Sequence, residues 1–328
     1  MNIFPTQYSV LSARALKLFL SEQYDFVVDK CTLIVHNVSD TYLVEATNKK
    51  YIFKIYRDAH RSYDEIMGEV ELLNFYINNG ASVSYPVKDV SGNFLQSLNA
   101  AEGIRYGVMF SYAEGKPVYA MNDKQLKLVG IEMAKLHILS SKVTLKHKRK
   151  EYSIQSTLLN PIKVIKPAFV EMDEEYEVLC EIVNNTVSKM SKLDFSKFSY
   201  GYCQYDFLPK NFHFKGSEKL TFFDFDFSGK GYLINDIMSF YIHFFLEVYY
   251  KKMTREEADR CFTIFLEAYR LVKPVSDEEI NSIKYFGLGF WIFYFGFHVE
   301  NFDDWSNIFF TPNFIKSRIP LIQNWMEY

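Results

Sequence analysis

The feature that most constrains this chain is a change in the spacing of its apolar residues. Up to about residue 113 they fall mainly into short β-rich runs. CTLIVHNV and DTYLVEA are two of these, parted by the turn Asn37-Val38-Ser39-Asp40, and KKYIFKIYR alternates apolar and charged residues as a half-buried strand does. SYDEIMGEVELLNFYINNGA then takes helical period, with Ile66, Val70, Leu73 and Ile77 on one face and Gly80 placed to end it. ASVSYPVKDV, GNFLQSL and IRYGVMFSYAEG read as further strands. From Asp123, an expected N-cap, helical spacing dominates through DKQLKLVGIEMAKLHILSS, DEEYEVLCEIVNNTVSKM and SDEEINSIKYFGLGFWIFYF. One β-hairpin interrupts it, NFHF and KLTFFDFDF around Lys-Gly-Ser-Glu. Strands followed by helices make an α+β pattern with an antiparallel sheet, and the expected division is 1–113 and 114–328.

A chain of 328 residues buries enough surface to fold without disulfide or metal staples. Its net charge of -3 excludes nucleic-acid binding through a general basic field. The basic run KHKRK, at 146–150, reads as a solvated segment. Four scattered cysteines with no CxxC pair imply reduced thiols and a cytoplasmic protein. No secretory signal opens the chain, and the windows IMSFYIHFFLEVYY and YFGLGFWIFYFGFHV fall short of the ~20 apolar residues of a membrane span. Both read as buried helices, so neither nucleic acid nor membrane is an expected partner.

Chemistry concentrates in YGYCQYDFLPKNFHF and TFFDFDFSGKG, which set Asp206, Asn211, Asp224 and Asp226 among aromatic rings. Magnesium takes hard oxygen ligands and keeps several waters, so one carboxylate and one amide suffice when phosphates supply the rest. Asn211 and Asp224 suit that role, and Asp206 is placed to receive the proton of an attacking hydroxyl. Asp226 is either a support or an extra ligand, and Asp236 an N-cap or a brace. His137 and His213 read as structural. The stretch Ser228-Gly229-Lys230-Gly231 is not a P-loop, because no helix starts at its lysine.

Asp-Phe-Leu-Pro-Lys-Asn, the hairpin and Phe-Asp-Phe-Asp together resemble the catalytic and metal loops of the aminoglycoside phosphotransferase and choline kinase superfamily. EMAKLHILS is similar to its Ala-x-Leu-His helix, and Asp236 to its aspartate at the start of the next helix. The resemblance covers about residues 25 to 300. It implies a protein kinase-like two-lobe fold, with a small antiparallel-sheet lobe carrying one helix and a larger, mainly helical lobe. It implies an ATP-dependent kinase, with GTP open, that uses Mg2+ to phosphorylate a small-molecule hydroxyl such as that of an aminosugar, choline, homoserine or sugar. By the family's order, Lys54 engages the nucleotide phosphates and is held by Glu69, favoured over Glu65 one turn earlier. Ser39, Asp40 and Thr41, in the turn at 37–41, cover the phosphates, and Met109 and Ser111 in VMFSYAEG meet the base. The same resemblance puts the acceptor near Trp291, Tyr294, His298, Glu300, Asp303, Asp304 and Trp305, in a monomer or homodimer. One departure stands out: the family's His-Gly-Asp is Gln204-Tyr205-Asp206 here. It motivates a second reading, a catalytically impaired nucleotide-binding or scaffold protein. A third is an interaction module whose acidic loops are structural.

Overall fold

The computed structural model describes residues 4–57, 61–302 and 311–328. The chain forms two units. The first comprises Met1–Glu114, Leu145–Lys148 and Thr221–Phe223, and the second Gly115–Thr144, Arg149–Leu220 and Asp224–Tyr328.

In the first unit, helix α1 (Ala13–Gln23) leads into strands β1 (Val28–His36), β2 (Ser39–Ala46) and β3 (Lys49–Tyr56). Helix α2 (Tyr63–Asn78) follows, then β4 (Leu95–Ala100) and β5 (Gly103–Ser111). The strands build an antiparallel sheet in the order β1-β2-β3-β5-β4. Leu16 and Leu20 of α1 close one core with Tyr42, Val44, Phe53, Ile55, Leu98 and Met109. Alternation explains the set: every second residue of β2 and β3 is buried with α1, and those between point to the opposite face. Helix α2 starts at a capping box in which Ser62 and Glu65 satisfy each other's backbone donors. It stops where Gly80 takes φ +81.

Residues 81–90, expected as a strand, form none. Only single bridges occur there, at Val83 and Pro86. Proline lacks the N–H that a continuous ladder needs.

The second unit opens with α3 (Asp123–Ser140), β6 (Lys150–Tyr152), α4 (Pro161–Val164), α5 (Asp173–Met190) and β7 (Tyr200–Cys203). Then come β8 (Phe212–Lys215), β9 (Lys219–Phe222, whose last two residues are grouped with the first unit), β10 (Gly229–Tyr232) and α6 (Ile234–Tyr249). Helices α7 (Arg255–Arg270), α8 (Asp277–Asn281), α9 (Ile283–Asn301) and α10 (Pro312–Glu327) complete it. The expected hairpin is β8 with β9, while β10 lies between β6 and β7 in a three-stranded sheet. The cap of α3 is Asn122 rather than Asp123: its side chain accepts from Gln125 N, and Gln125 bonds back to the Asn122 backbone. That reciprocal pair uses the residue one earlier than expected.

Helix α9 is apolar on nearly all sides, and no described helix is long and apolar enough to cross a membrane. Its glycines admit neighbours. A Cβ on Gly287 would stand 2.1 Å from Trp325 Cζ2 of α10, and one on Gly296 would stand 2.7 Å from Pro161 Cβ of α4. The indole is pinned because its Nε1 donates to Lys284 O at 2.9 Å. Gly287→Ala is therefore expected to cost about 1–3 kcal/mol by overpacking, read as a lower urea midpoint. An unchanged midpoint would show that the Trp325 ring has room to yield.

Candidate active site

Strand register decides which side chains of the first unit share a face. Thr41 and Val108 stand opposite Lys54, and Ser39 opposite Tyr56, so these five occupy one face of the sheet. Asp40 stands opposite Ile55, Met109 opposite Phe53 and Ser111 opposite Tyr51, which puts them on the other face. Of the seven residues grouped from the sequence as a nucleotide set, the six on strands thus divide between two faces, and Glu69 lies on α2. Met109 is wholly buried in the α1 core, and Ser111 Oγ accepts from Tyr85 N at 3.0 Å.

Asp40 is engaged beneath the β1–β2 turn. Its carboxylate accepts from Arg105 Nη2 at 2.9 Å and Tyr8 Oη at 2.6 Å, and it lies 2.6 Å from His36 Nδ1. Arg105 spends its remaining donors on Ser9 O and Tyr56 O. Both charges are buried and each is multiply bonded, as a buried ion pair requires. The carboxylate therefore braces the turn, which is confined to Asn37 and Val38 rather than running to Thr41, and leaves Ser39 and Thr41 of β2 on the face of Lys54.

Lys54 is itself buried, with its ammonium 5.2 Å from the centre of the Tyr56 ring. The Tyr56 hydroxyl donates to Glu69 Oε2 at 3.1 Å. Glu65, by contrast, gives its carboxylate to the capping box, accepting from Ser62 N at 3.1 Å. Glu69 is thus joined to β3 through Tyr56.

In the second unit, the short loop after β7 carries Asp206 and Asn211. Asn211 Nδ2 donates to Asp206 Oδ2 at 2.9 Å and to Asp206 O at 2.8 Å, so the five-residue spacing closes on itself. Lys210, one position before Asn211, brings its ammonium to 2.8 Å from the same Oδ2. Gln204 Nε2 donates to Asp224 O at 3.3 Å, tying this loop to the one that carries Asp224 and Asp226. Asp224 is exposed and takes φ +59, whereas Asp226 is buried.

Asp236 holds the loop at 204–207 in place. It is fully buried in the first turn of α6, where Leu233, not Asp236, is the cap. Its two oxygens accept from Tyr205 N at 2.7 Å and Gln204 N at 3.0 Å. His137 Nε2 lies 3.1 Å from Asp236, with Nδ1 2.8 Å from the Tyr269 hydroxyl. Two residues beyond Tyr205, Phe207 N donates to Ser239 Oγ on the next turn of α6.

Tyr205 takes φ +70, a left-handed backbone that glycine adopts freely and tyrosine at a cost of about 1–2 kcal/mol. Its ring is fully buried, stacked on Tyr152 with centroids 3.6 Å apart. It therefore occupies packed interior rather than open space beside Asp206. The neighbouring Cys203 is a buried free thiol bonded to Tyr232 O, and burial pushes its pKa well up.

Among the residues expected near an acceptor, Tyr294 of α9 reaches these loops. Its ring lies 5.0 Å from Phe227 and 6.4 Å from Tyr205. Burial, followed by the charge of Asp206, raises the phenol's pKa well above its usual value. Burial holds His298 at about 4, a neutral imidazole near pH 7, while Glu300 is exposed. Asp303, Asp304 and Trp305 lie outside the described residues.

Among the described residues, no three His, Cys, Asp or Glu side chains cluster as an all-protein cation cage. Asn211 and Asp224 nevertheless fit a cation completed by phosphate and water. Asn211 commits its amide nitrogen to Asp206, leaving Oδ1 as a hard donor, and Asp224 presents an exposed carboxylate.

The sequence pattern of the phosphotransferase enzyme family matches residues 30–274. An uncharacterized protein from Synechocystis sp. is 28% identical over 326 residues, covering 98% of this chain and 88% of its own. Among solved structures, an amicoumacin kinase in complex with AMP-PNP, Ca2+ and Ami superposes with a TM-score of 0.77 at 20% identity, covering 97% of this chain and 93% of that one. A microcompartment-associated aminopropanol kinase gives 0.74 at 16% identity, over 96% and 98%. These two likenesses establish a shared fold.

Proposed function

The chain belongs to the phosphotransferase enzyme family and is a small-molecule kinase that transfers phosphate to a hydroxyl, and on that premise we propose how its residues divide the work. Asp206 orients the acceptor hydroxyl and takes its proton as the new O–P bond forms and the bond to the leaving nucleoside diphosphate breaks. The carrying observation is the closed arrangement of Asp206, Lys210 and Asn211, joined to the Asp224 loop by Gln204. Asn211 and Asp224 would hold the divalent cation, Mg2+ in our reading. When bound, the cation neutralises charge on the phosphate oxygens. Lys54, oriented by Tyr56 and Glu69, engages the nucleotide phosphates, and Ser39 and Thr41 stand on the same sheet face to cover them.

The AMP-PNP and Ca2+ bound by the amicoumacin kinase support a nucleoside triphosphate, ATP or GTP, and a divalent ion as the co-reactants. The acceptor we propose is a small alcohol: an aminosugar or antibiotic, an amino alcohol or a choline-like compound, as the relatives' names indicate, or a homoserine- or sugar-like one. The buried stack of Tyr205 on Tyr152 counts against a decayed loop, because the ring fills interior space and leaves Asp206 its own partners.

Calorimetry with ATP and GTP, with and without Mg2+, tests the assignment. Binding is expected to strengthen with Mg2+ in the wild type, and Asp224→Ala should lose that strengthening, with affinity falling about tenfold or more. No binding at millimolar nucleotide would leave ancestry alone and favour the interaction-module reading.

A further inference from the structure

The basic run at 146–150 is solvated at Lys146 and Lys148, as expected, but its other positions are engaged. Lys146 N, His147 N and His147 Nδ1 all bond the Glu71 carboxylate of α2 within the first unit. Arg149, in the second unit, turns its guanidinium onto the backbone that follows Asp224. Its Nε donates to Ser228 O at 2.8 Å. Its Nη2 donates to Phe225 O at 3.1 Å, Asp226 O at 2.6 Å and Ser228 Oγ at 3.1 Å. The one carbonyl of 225–228 that Arg149 leaves, that of Phe227, accepts from the Tyr152 hydroxyl three residues along β6. Four consecutive carbonyls are thus capped by two side chains of one short segment. The loop's own closing bond is Ser228 N to Phe225 O at 2.8 Å.

The three carbonyl dipoles that converge on Arg149 repel one another unless a cation gathers them. A planar guanidinium does so with fixed directions, which an ammonium cannot reproduce. The gathered segment begins immediately after Asp224, whose left-handed backbone leaves its carboxylate direction dependent on where residue 225 is held. We propose that Arg149 is a positioning residue for the cation-binding loop, fixing the backbone of 225–228 so that Asp224 presents its carboxylate to the divalent ion. This rests on the reading of Asp224 as a cation ligand. Supports one step behind a metal ligand commonly change metal affinity by about 10- to 100-fold when removed.

The experiment is the Mg2+ dependence of AMP-PNP binding, followed by calorimetry in the wild type, Arg149→Ala, Arg149→Lys and Asp224→Ala, with thermal melts alongside. The Mg2+ concentration for half-maximal enhancement is expected to rise about tenfold or more in Arg149→Ala. Arg149→Lys, which keeps the charge and loses the fork, should fall between it and the wild type. AMP-PNP affinity at saturating Mg2+ should return to within about threefold of the wild type, a split that general unfolding does not produce. Added guanidinium at low millimolar concentration should restore part of the Mg2+ response in Arg149→Ala and none in Asp224→Ala. Should Arg149→Ala fail to fold, the Arg149→Lys shift carries the test. Unchanged half-saturation in the folded Arg149 variants, in a wild type that responds to Mg2+, overturns this proposal alone. A wild type whose AMP-PNP affinity ignores Mg2+ overturns the cation reading as well.

Discussion

Asp206→Asn is expected to lose turnover by about 10²- to 10⁴-fold, the usual contribution of a positioned general base. Nucleotide affinity should stay within about threefold, because the proposed phosphate and cation contacts come from Lys54, Asn211 and Asp224. The substitution keeps the side-chain volume but not the basic oxygen. It also forces an amide into a place where Lys210 and Asn211 both supply donors to Oδ2. If the new amide turns its nitrogen that way, two donor pairs clash, so some loss of stability is expected too. Single-turnover kinetics on the acceptor identified by screening, with nucleotide binding in parallel, separates the two effects. Turnover within about threefold of the wild type would remove Asp206 from the role of base.

The second large effect is expected at Asp236. The backbone N–H groups of Gln204 and Tyr205 and one imidazole nitrogen converge on its carboxylate in a fully buried setting. Alanine there strands those three donors at about 1–3 kcal/mol each, so a loss of roughly 3–9 kcal/mol is expected, a large share of a typical folding free energy. Asparagine should cost less, because it keeps one accepting oxygen and His137 can change tautomer to meet the amide. Urea denaturation of both variants measures this. Asp236→Ala within about 0.5 kcal/mol of the wild type would show that the loop holds its shape unaided.

Much of this was legible in the sequence, for reasons that differ by element. Alternation in KKYIFKIYR and helical period in GEVELLNFY fixed β3 and α2, since each pattern follows from which side is buried. The hairpin at 212–222 was readable from two short apolar runs around a Gly turn. What failed was chemistry that only tertiary placement decides. Pro86 interrupted an apparent strand at 81–90. Asp236 was expected as either a cap or a brace, and only its partners from the loop at 204–207 separate the two. Parity alone would have set Met109 apart from Lys54, had the β3–β5 register been known, but register is a long-range property. The partners of Arg149 are 76 to 79 residues away, so local charge density gave no hint of them.

The stacked tyrosines make a statement about kinship as well as about packing. A glycine at 205 would relieve the backbone and open a void against Tyr152, whereas losing the ring of Tyr152 would leave Tyr205 strained without its counterpart. The two positions are therefore bound to change together. Among relatives, an aromatic residue at 152 is expected wherever the residue before the loop aspartate is large, and to be dispensable wherever that residue is glycine.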